Sequence, residues 1–493
     1  MKGIYSLTFC AFISVGTNAQ DSFDKFKQQI NNDFDSWVQK TNKDYEDFRE
    51  KANQEYAELL KKSWNEFNSL SPIPKPKDDE KPPVVISKDD GGKNVKDNPI
   101  PIKDDIIKPP VPKPQPDPIV PIKEVPKPSE KVVDFSLYGI NMKVRFCDNL
   151  KYRLASTNYE VIASAWKKMS TSDYNNTISD CLSLRSKYKL SDWVYLQMLN
   201  KMSIACFGNG NEAVILMAYI YCQSGYKMRL GIDGSSVRLL YASEHTIFDK
   251  PFFDIDGDKF YTFGYDTERL NICNAEFPQE KPLSLLIPDV PEIPYVKSRP
   301  RTLASKRFPQ FRLSICTNLN SFSFYNDYPT SYLNGNVVTR WAMYANMPMP
   351  KWIKNEMYPK IKQLIQGLGH KDAVERLLNF TQTAFVYEYD NNVWGHDRAF
   401  FPEETLYYPY CDCEDRSIFL SRIIRDILGL KCILIFYPGH LALAVNFAES
   451  IKGDYIMLSG KKYIVCDPTY IGASIGMTMP NMDNSTAQVI LLD

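Results

Sequence analysis

Three short stretches near the C-terminus hold side chains able to do covalent chemistry. They read CDCEDRSIFLSRIIRDILGL, YPGHLALAVNF and KKYIVCDPTY, and carry Cys413, His440 and Asp467 in that order. A cysteine, a histidine and an aspartate are the parts of a nucleophilic site: the thiol attacks, the imidazole takes and returns a proton, and the carboxylate orients the imidazole. The chain of 493 residues has only 4 histidines, and one stands where such a base is needed.

For these groups to meet, the intervening elements must place them. The sequence predicts a helix opening at Cys413, where free N–H groups and the helix dipole favour a thiolate. Glu414 and Asp415 fill its first turn. Ile418, Leu420, Ile423, Ile424 and Ile427 give it a buried face, and Gly429 ends it. Lys431 to Phe436 reads as an apolar strand, Pro438-Gly439 as a turn, and His440 as the first residue of the next strand. Alternation puts His440, Ala442 and Ala444 on one face and Leu441, Leu443 and Val445 on the other. The small alanines are expected to let the cysteine helix pack close. After a hairpin turn at Ser459-Gly460-Lys461, Tyr463, Val465 and Asp467 share a face, and Pro468 stops the strand.

The stretch PEETLYYPYCDCEDRSIFLSRIIRDILGL resembles the core of the transglutaminase-like superfamily, whose bacterial members carry a similar proline-acid-acid-Thr-Leu element before a G-x-C-x-D-like turn. Here Cys411 stands in place of the glycine. Gly439-His440-Leu441-Ala442-Leu443 and Cys466-Asp467-Pro468-Thr469 are similar to the family's histidine and aspartate strands. The resemblance covers about residues 370 to 475. It implies an α+β, papain-like fold with the cysteine helix packed on an antiparallel sheet. It also implies an acyl-enzyme mechanism resolved by water or by an amine, hydrolysis being the expectation in bacterial relatives. Cys411 is the rival nucleophile, but Cys413 keeps the family spacing to Glu414-Asp415. His396 is the rival base, but it precedes the cysteine helix. Trp394 is a candidate for lining the cleft. Singly, Cys413, His440 and Asp467 each have an ordinary structural reading as a buried thiol, a strand histidine and a turn aspartate. Their ordered occurrence favours chemistry.

A chain of this length exceeds one core, so two or three domains are expected. The first residues, 1 to 19, read as a secretory signal peptide cleaved after Ala19, which implies export to the periplasm, cell surface or exterior. Residues 20 to 70 read as one long amphipathic helix with an eleven-residue repeat (Phe23, Phe34, Tyr45, Tyr56, Phe67), suited to self-association or to an envelope partner. Residues 71 to 130 hold about half of the 33 prolines and read as an extended spacer. A second proline-rich stretch, 281 to 300, divides the remainder. Residues 131 to 290 read as a degenerate transglutaminase-like copy: Gly225-Tyr226-Lys227 falls on Gly429-Leu430-Lys431. Asn209, Ser235 and Gly264 then stand where Cys413, His440 and Asp467 stand in the catalytic copy, 301 to 493.

The formal net charge of +0 gives no reason to expect a nucleic-acid partner. No segment reads as an integral membrane span. Cys411 and Cys413 lack a second Cys/His pair at ligand spacing, so neither a metal nor another cofactor is expected. The expectation is an exported cysteine peptidase or amidase acting on a peptide or protein. The alternative is a non-catalytic envelope-binding or scaffold protein built from the same domains.

Overall fold

The computed structural model describes residues 28–29, 36, 40–41, 43–76, 83–87, 96–102, 106–126 and 130–493. The signal-peptide reading of residues 1 to 19 lies outside them. The architecture is mixed α+β, with helices packed against several sheets. The two largest sheets share one strand order. In the first half the Asn211–Gln223 helix leads into Met228–Asp233, Ser236–Ala242, Phe253–Ile255, Asp258–Thr262 and Arg269–Cys273. Across the sheet these lie in the order last, first, second, fourth, third. In the second half the Cys413–Leu428 helix leads into Cys432–Tyr437, His440–Asn446, Asp454–Leu458, Lys461–Val465 and Gln488–Leu491, again ordered last, first, second, fourth, third.

The N-terminal part departs from expectation in two places. Helical backbone runs through 43–59 and stops, and Trp64–Asn68 is a strand paired antiparallel to Arg269–Cys273. The expected helix to residue 70 is therefore about ten residues too long at this end. Trp64 stacks on Tyr159 with ring centroids 4.7 Å apart and planes 4° from parallel, a contact the eleven-residue repeat could not foretell. Ala52, Asn53, Tyr56, Ala57 and Leu60 form the buried stripe, while Tyr45 and Phe48 are exposed. Asn53 fixes the stripe to the first half: its Nδ2 donates to Gln223 Oε1 at 3.0 Å, and its Oδ1 accepts from Trp166 Nε1 at 3.1 Å.

The proline-rich stretch is not a free spacer where it is described. Asn98–Pro99 pairs with Asp454–Tyr455, and isolated backbone bridges join Ile73 to Phe248, Ile86 to Ile471 and Ile107 to Ile490. Proline keeps this stretch extended, and the intervening Ile and Val residues retain the N–H groups that proline lacks. Ile100, Ile107 and Val120 are buried. The 281–300 stretch likewise joins the halves: Leu283, Leu285 and Ile293 belong to one apolar cluster that runs through both.

Buried His245 reinforces that junction. Its Nε2 accepts from Leu285 N–H at 3.1 Å, and its Nδ1 lies 3.0 Å from Ser331 Oγ, which fixes a neutral ring. Burial, with Lys259 nearby, lowers its pKa to about 3. Unfolding frees the ring to protonate near its ordinary value of about 6.5. The stability held by the neutral ring is therefore complete above that pH and is lost as pH falls toward 3. Denaturant unfolding from pH 7 to 4 should lose stability more steeply in the wild type than in His245→Gln, by up to about 1.4 kcal/mol per pH unit.

Candidate functional site

The cysteine helix begins at Cys413, as its sequence predicts, and ends where Gly429 takes the left-handed φ of +68°. Ile418, Phe419, Leu420, Ile423 and Ile424 are buried, and Ile427 is half-buried. They join the cluster that contains Leu441, Leu443 and Val445. Ala442 and Ala444 belong to the cluster on the other face, with Ile433, Ile435 and Val465. The helix thus covers the leucine face and not the alanine face, contrary to expectation. The larger side chains offer it more apolar area to bury.

Chain direction then sets which ends meet. The helix runs one way, Cys432–Tyr437 returns after a short turn, and His440–Asn446 pairs antiparallel to it. The helix and the histidine strand therefore share a direction, and both begin at the same end of the sheet. Ser417 Oγ donates to Leu441 O at 2.7 Å and ties them together. Ser417 lies one turn after Cys413 on the same helical face, and Leu441 directly follows His440.

His440 and Asp467 are in direct contact. His440 Nε2 lies 2.9 Å from Asp467 Oδ2, with both residues buried. The other oxygen, Oδ1, accepts from Thr469 N–H at 2.8 Å and from Tyr470 N–H at 3.3 Å. A carboxylate fixed in this way takes the proton of Nε2 in a hydrogen bond and leaves Nδ1 as the basic nitrogen. The ring of Tyr437 lies beside the imidazole, with centroids 6.3 Å apart.

Gln382, buried in the last turn of the His370–Ala384 helix, gathers the loop after Asp467. Its Nε2 donates to the carbonyls of Asp467, Tyr470 and Ala473 at 3.1, 2.9 and 3.0 Å, and its Oε1 accepts from Gly472 N–H at 3.2 Å. The fully buried Arg416 donates to the carbonyls of Gln382, Phe385 and Pro468 at 3.2, 3.0 and 3.4 Å. Neither residue was singled out from sequence. Arg416 could have been, since a cation three residues after Cys413 and beside Ile418 and Leu420 is an unusual member of a buried turn. Gln382 carries no comparable signal.

At the helix start Cys413 Sγ lies 2.8 Å from Glu414 Oε2. Asp415 clamps the approach: its Oδ1 accepts from Phe400 N–H at 2.8 Å and its Oδ2 from Asp412 N–H at 3.3 Å. Burial, then the neighbouring Asp412 and Glu414, raise the Asp415 carboxyl well above the usual carboxylate range. The donor atoms of Asp412, Cys413 and Glu414 lie within 4.8 Å of one another, as do those of Asp390, Asp412 and Asp415. Carboxylate oxygens dominate both groupings, which Cys/His spacing in the sequence does not reveal.

Burial pushes the Cys411 thiol up to about 11, and its sulfur lies 3.5 Å from Arg416 Nε. His396 is exposed, in the loop before the cysteine helix. Trp394 is half-buried beneath Arg398, whose guanidinium carbon lies 4.2 Å from the ring centroid. The ten cysteines from Cys147 to Cys466 are all buried. Among the described residues no helix is long and apolar enough to cross a membrane.

The element before the cysteine helix, Pro402–Tyr407, is held by its acids. Glu403 Oε1 accepts from Asn318 N–H at 3.1 Å and Trp352 Nε1 at 2.9 Å, and Oε2 accepts from Tyr325 at 2.8 Å. Glu403→Ala strands these buried groups, each costing about 1–3 kcal/mol. Urea unfolding should show a loss of about 3 kcal/mol, with Glu403→Gln losing less because it keeps Oε1.

Comparison with protein-family models, curated proteins and solved structures found no match.

Proposed function

We propose that the chain is a cysteine-dependent hydrolase of amide bonds, with Cys413 as nucleophile, His440 as base and acid, and Asp467 as the group that orients the imidazole. The observation that carries this reading is the buried 2.9 Å contact between His440 and Asp467, formed at the end of the sheet where the cysteine helix begins. By alternation His440 shares the face of Ala442, opposite the leucine face that the helix covers, so the reaction requires the thiol to reach the imidazole around the strand's first residue and not through the sheet. His440 Nδ1 takes the proton of Cys413 as sulfur attacks the carbonyl carbon. Backbone N–H groups at the helix start receive the oxyanion. The imidazolium protonates the leaving amine, and water, activated by the same nitrogen, releases the acid from the acyl-enzyme.

The shared strand order supports reading residues 131 to 290 as a second transglutaminase-like unit that has lost its chemistry. Its histidine-strand equivalent begins at Ser236, and Asn209, Ser235 and Gly264 supply neither nucleophile nor base. The export reading of the first residues, to periplasm, cell surface or exterior, completes the proposal. A non-catalytic binding role is the second reading. It is favoured by the burial of both Cys413 and His440, which are 1 % and 3 % exposed.

Alkylation by an iodoacetamide-type probe at neutral pH, with the labelled site read by mass spectrometry, separates the two. The hydrolase predicts fast labelling at Cys413, lost in Cys413→Ala and slowed at least tenfold in His440→Ala. Equal, slow labelling in wild type and His440→Ala would favour the binding protein.

A further inference from the structure

Four residues beyond Asp467, the chain's own proline-rich stretch lies against the loop. Ile471 N–H donates to Val85 O at 3.0 Å, and Ser87 N–H donates to Ile471 O at 2.8 Å, so that Ile86 and Ile471 pair in parallel. Gln382 has already taken Tyr470 O, Gly472 N–H and Ala473 O toward the interior. This division leaves Ile471 as the residue whose N–H and C=O both serve an outside strand. One side chain of that strand is seated: Val85 packs on Tyr470, Ala473 and Met479. Its neighbour Ile86 is 72 % exposed, and Val84 is exposed as well. Two main-chain hydrogen bonds and one apolar contact tie residues 83–87 to this loop. An attachment of that size can be displaced by a second strand of the same kind.

We propose that Ile471 is a docking strand for an extended peptide, occupied here by residues 83–87, and that a peptide substrate binds by replacing them. The inference rests on the hydrolase reading for the word substrate, but not for the docking itself. The peptide it fits is extended, with an N–H and a C=O flanking the position opposite Ile471 and a small β-branched residue seated on Tyr470, Ala473 and Met479. Prolines are tolerated outside the pair, as Pro83 is. Parallel pairing fixes polarity: the peptide's N-terminal side runs back along Thr469 toward Asp467. The attacked amide therefore lies on the amino side of the docked stretch.

The test uses the full chain carrying Cys413→Ala, with and without Ser87→Pro, which removes the N–H donated to Ile471. The probe is a fluorescent peptide of sequence KPPVVISK followed by anisotropy. Binding to the Ser87→Pro chain should be at least tenfold tighter than to the chain with its own strand intact. Val85→Asp, which unseats the apolar contact, should give the same gain. With Cys413 present, Ser87→Pro should speed its alkylation several-fold, and added peptide should reverse this. Failure of the peptide to bind either variant overturns the docking strand, whatever Cys413 does. Peptide binding without any His440-dependent labelling upholds the docking strand and overturns the hydrolase instead.

Discussion

Asp467→Asn should reduce His440-dependent reactivity of Cys413 by about 10²-fold or more while the chain stays folded. The reason is a proton's position. Asn can keep its oxygen where Oδ1 accepts from Thr469 and Tyr470 N–H. That leaves its NH2 facing His440 Nε2, where Asp467 Oδ2 now lies at 2.9 Å. An NH2 donor forces Nε2 to accept, so the ring proton moves to Nδ1, the nitrogen that must be free to take the thiol proton. Alkylation rates at pH 7 for wild type, Asp467→Asn and His440→Ala give the comparison. The two variants should be similarly slow, with circular dichroism unchanged. An Asp467→Asn protein as fast as wild type would mean that the carboxylate does not set the tautomer.

Arg416→Met should cost about 3 kcal/mol of stability or more. The guanidinium is fully buried and donates to three main-chain carbonyls from two separate segments, those of Gln382, Phe385 and Pro468. It also lies over the ring of Tyr387, with 5.1 Å from guanidinium carbon to centroid. Each carbonyl left unpaired in the interior costs about 1–3 kcal/mol. Removing a buried charge returns part of this, so the net loss is less than the sum. Arg416→Lys should recover only a fraction, because one ammonium cannot present the planar fork that serves segments 382–385 and 468 together. Because Pro468 follows Asp467, Arg416→Met should also slow Cys413 labelling. Urea unfolding gives the first quantity and alkylation the second. A loss below about 1 kcal/mol would show that the three carbonyls find other donors.

Much of the C-terminal site is legible in the sequence because its determinants are local. Gly429 ends the cysteine helix, Ser459-Gly460 turns a hairpin, and the apolar runs around His440 and Val465 form neighbouring strands. What the sequence conceals is set by partners far along the chain. Alternation separates Leu441 and Leu443 from Ala442 and Ala444, but it does not say which face the helix takes. That choice follows from the area each face can bury. Proline counting marks residues 71 to 130 as extended, which they are where described, yet it overlooks the isolated Ile73, Ile86 and Ile107 that join them to the body. The eleven-residue repeat passes through Phe67 without a break, whereas Trp64–Asn68 pairs as a strand with the distant Arg269–Cys273. Gln382 is invisible for the same reason: its three carbonyl partners lie more than eighty residues away.

The meeting of Cys413 with His440 is the central claim, and a chain with 4 histidines allows a direct reading of it. Imidazole nitrogen-15 spectra at constant pH, assigned by loss of one signal in His440→Gln, should be recorded before and after Cys413 is alkylated. The His440 signals should move while those of His245, His370 and His396 stay in place. Four unmoved histidines after complete alkylation at Cys413 would place thiol and imidazole apart and contradict the account.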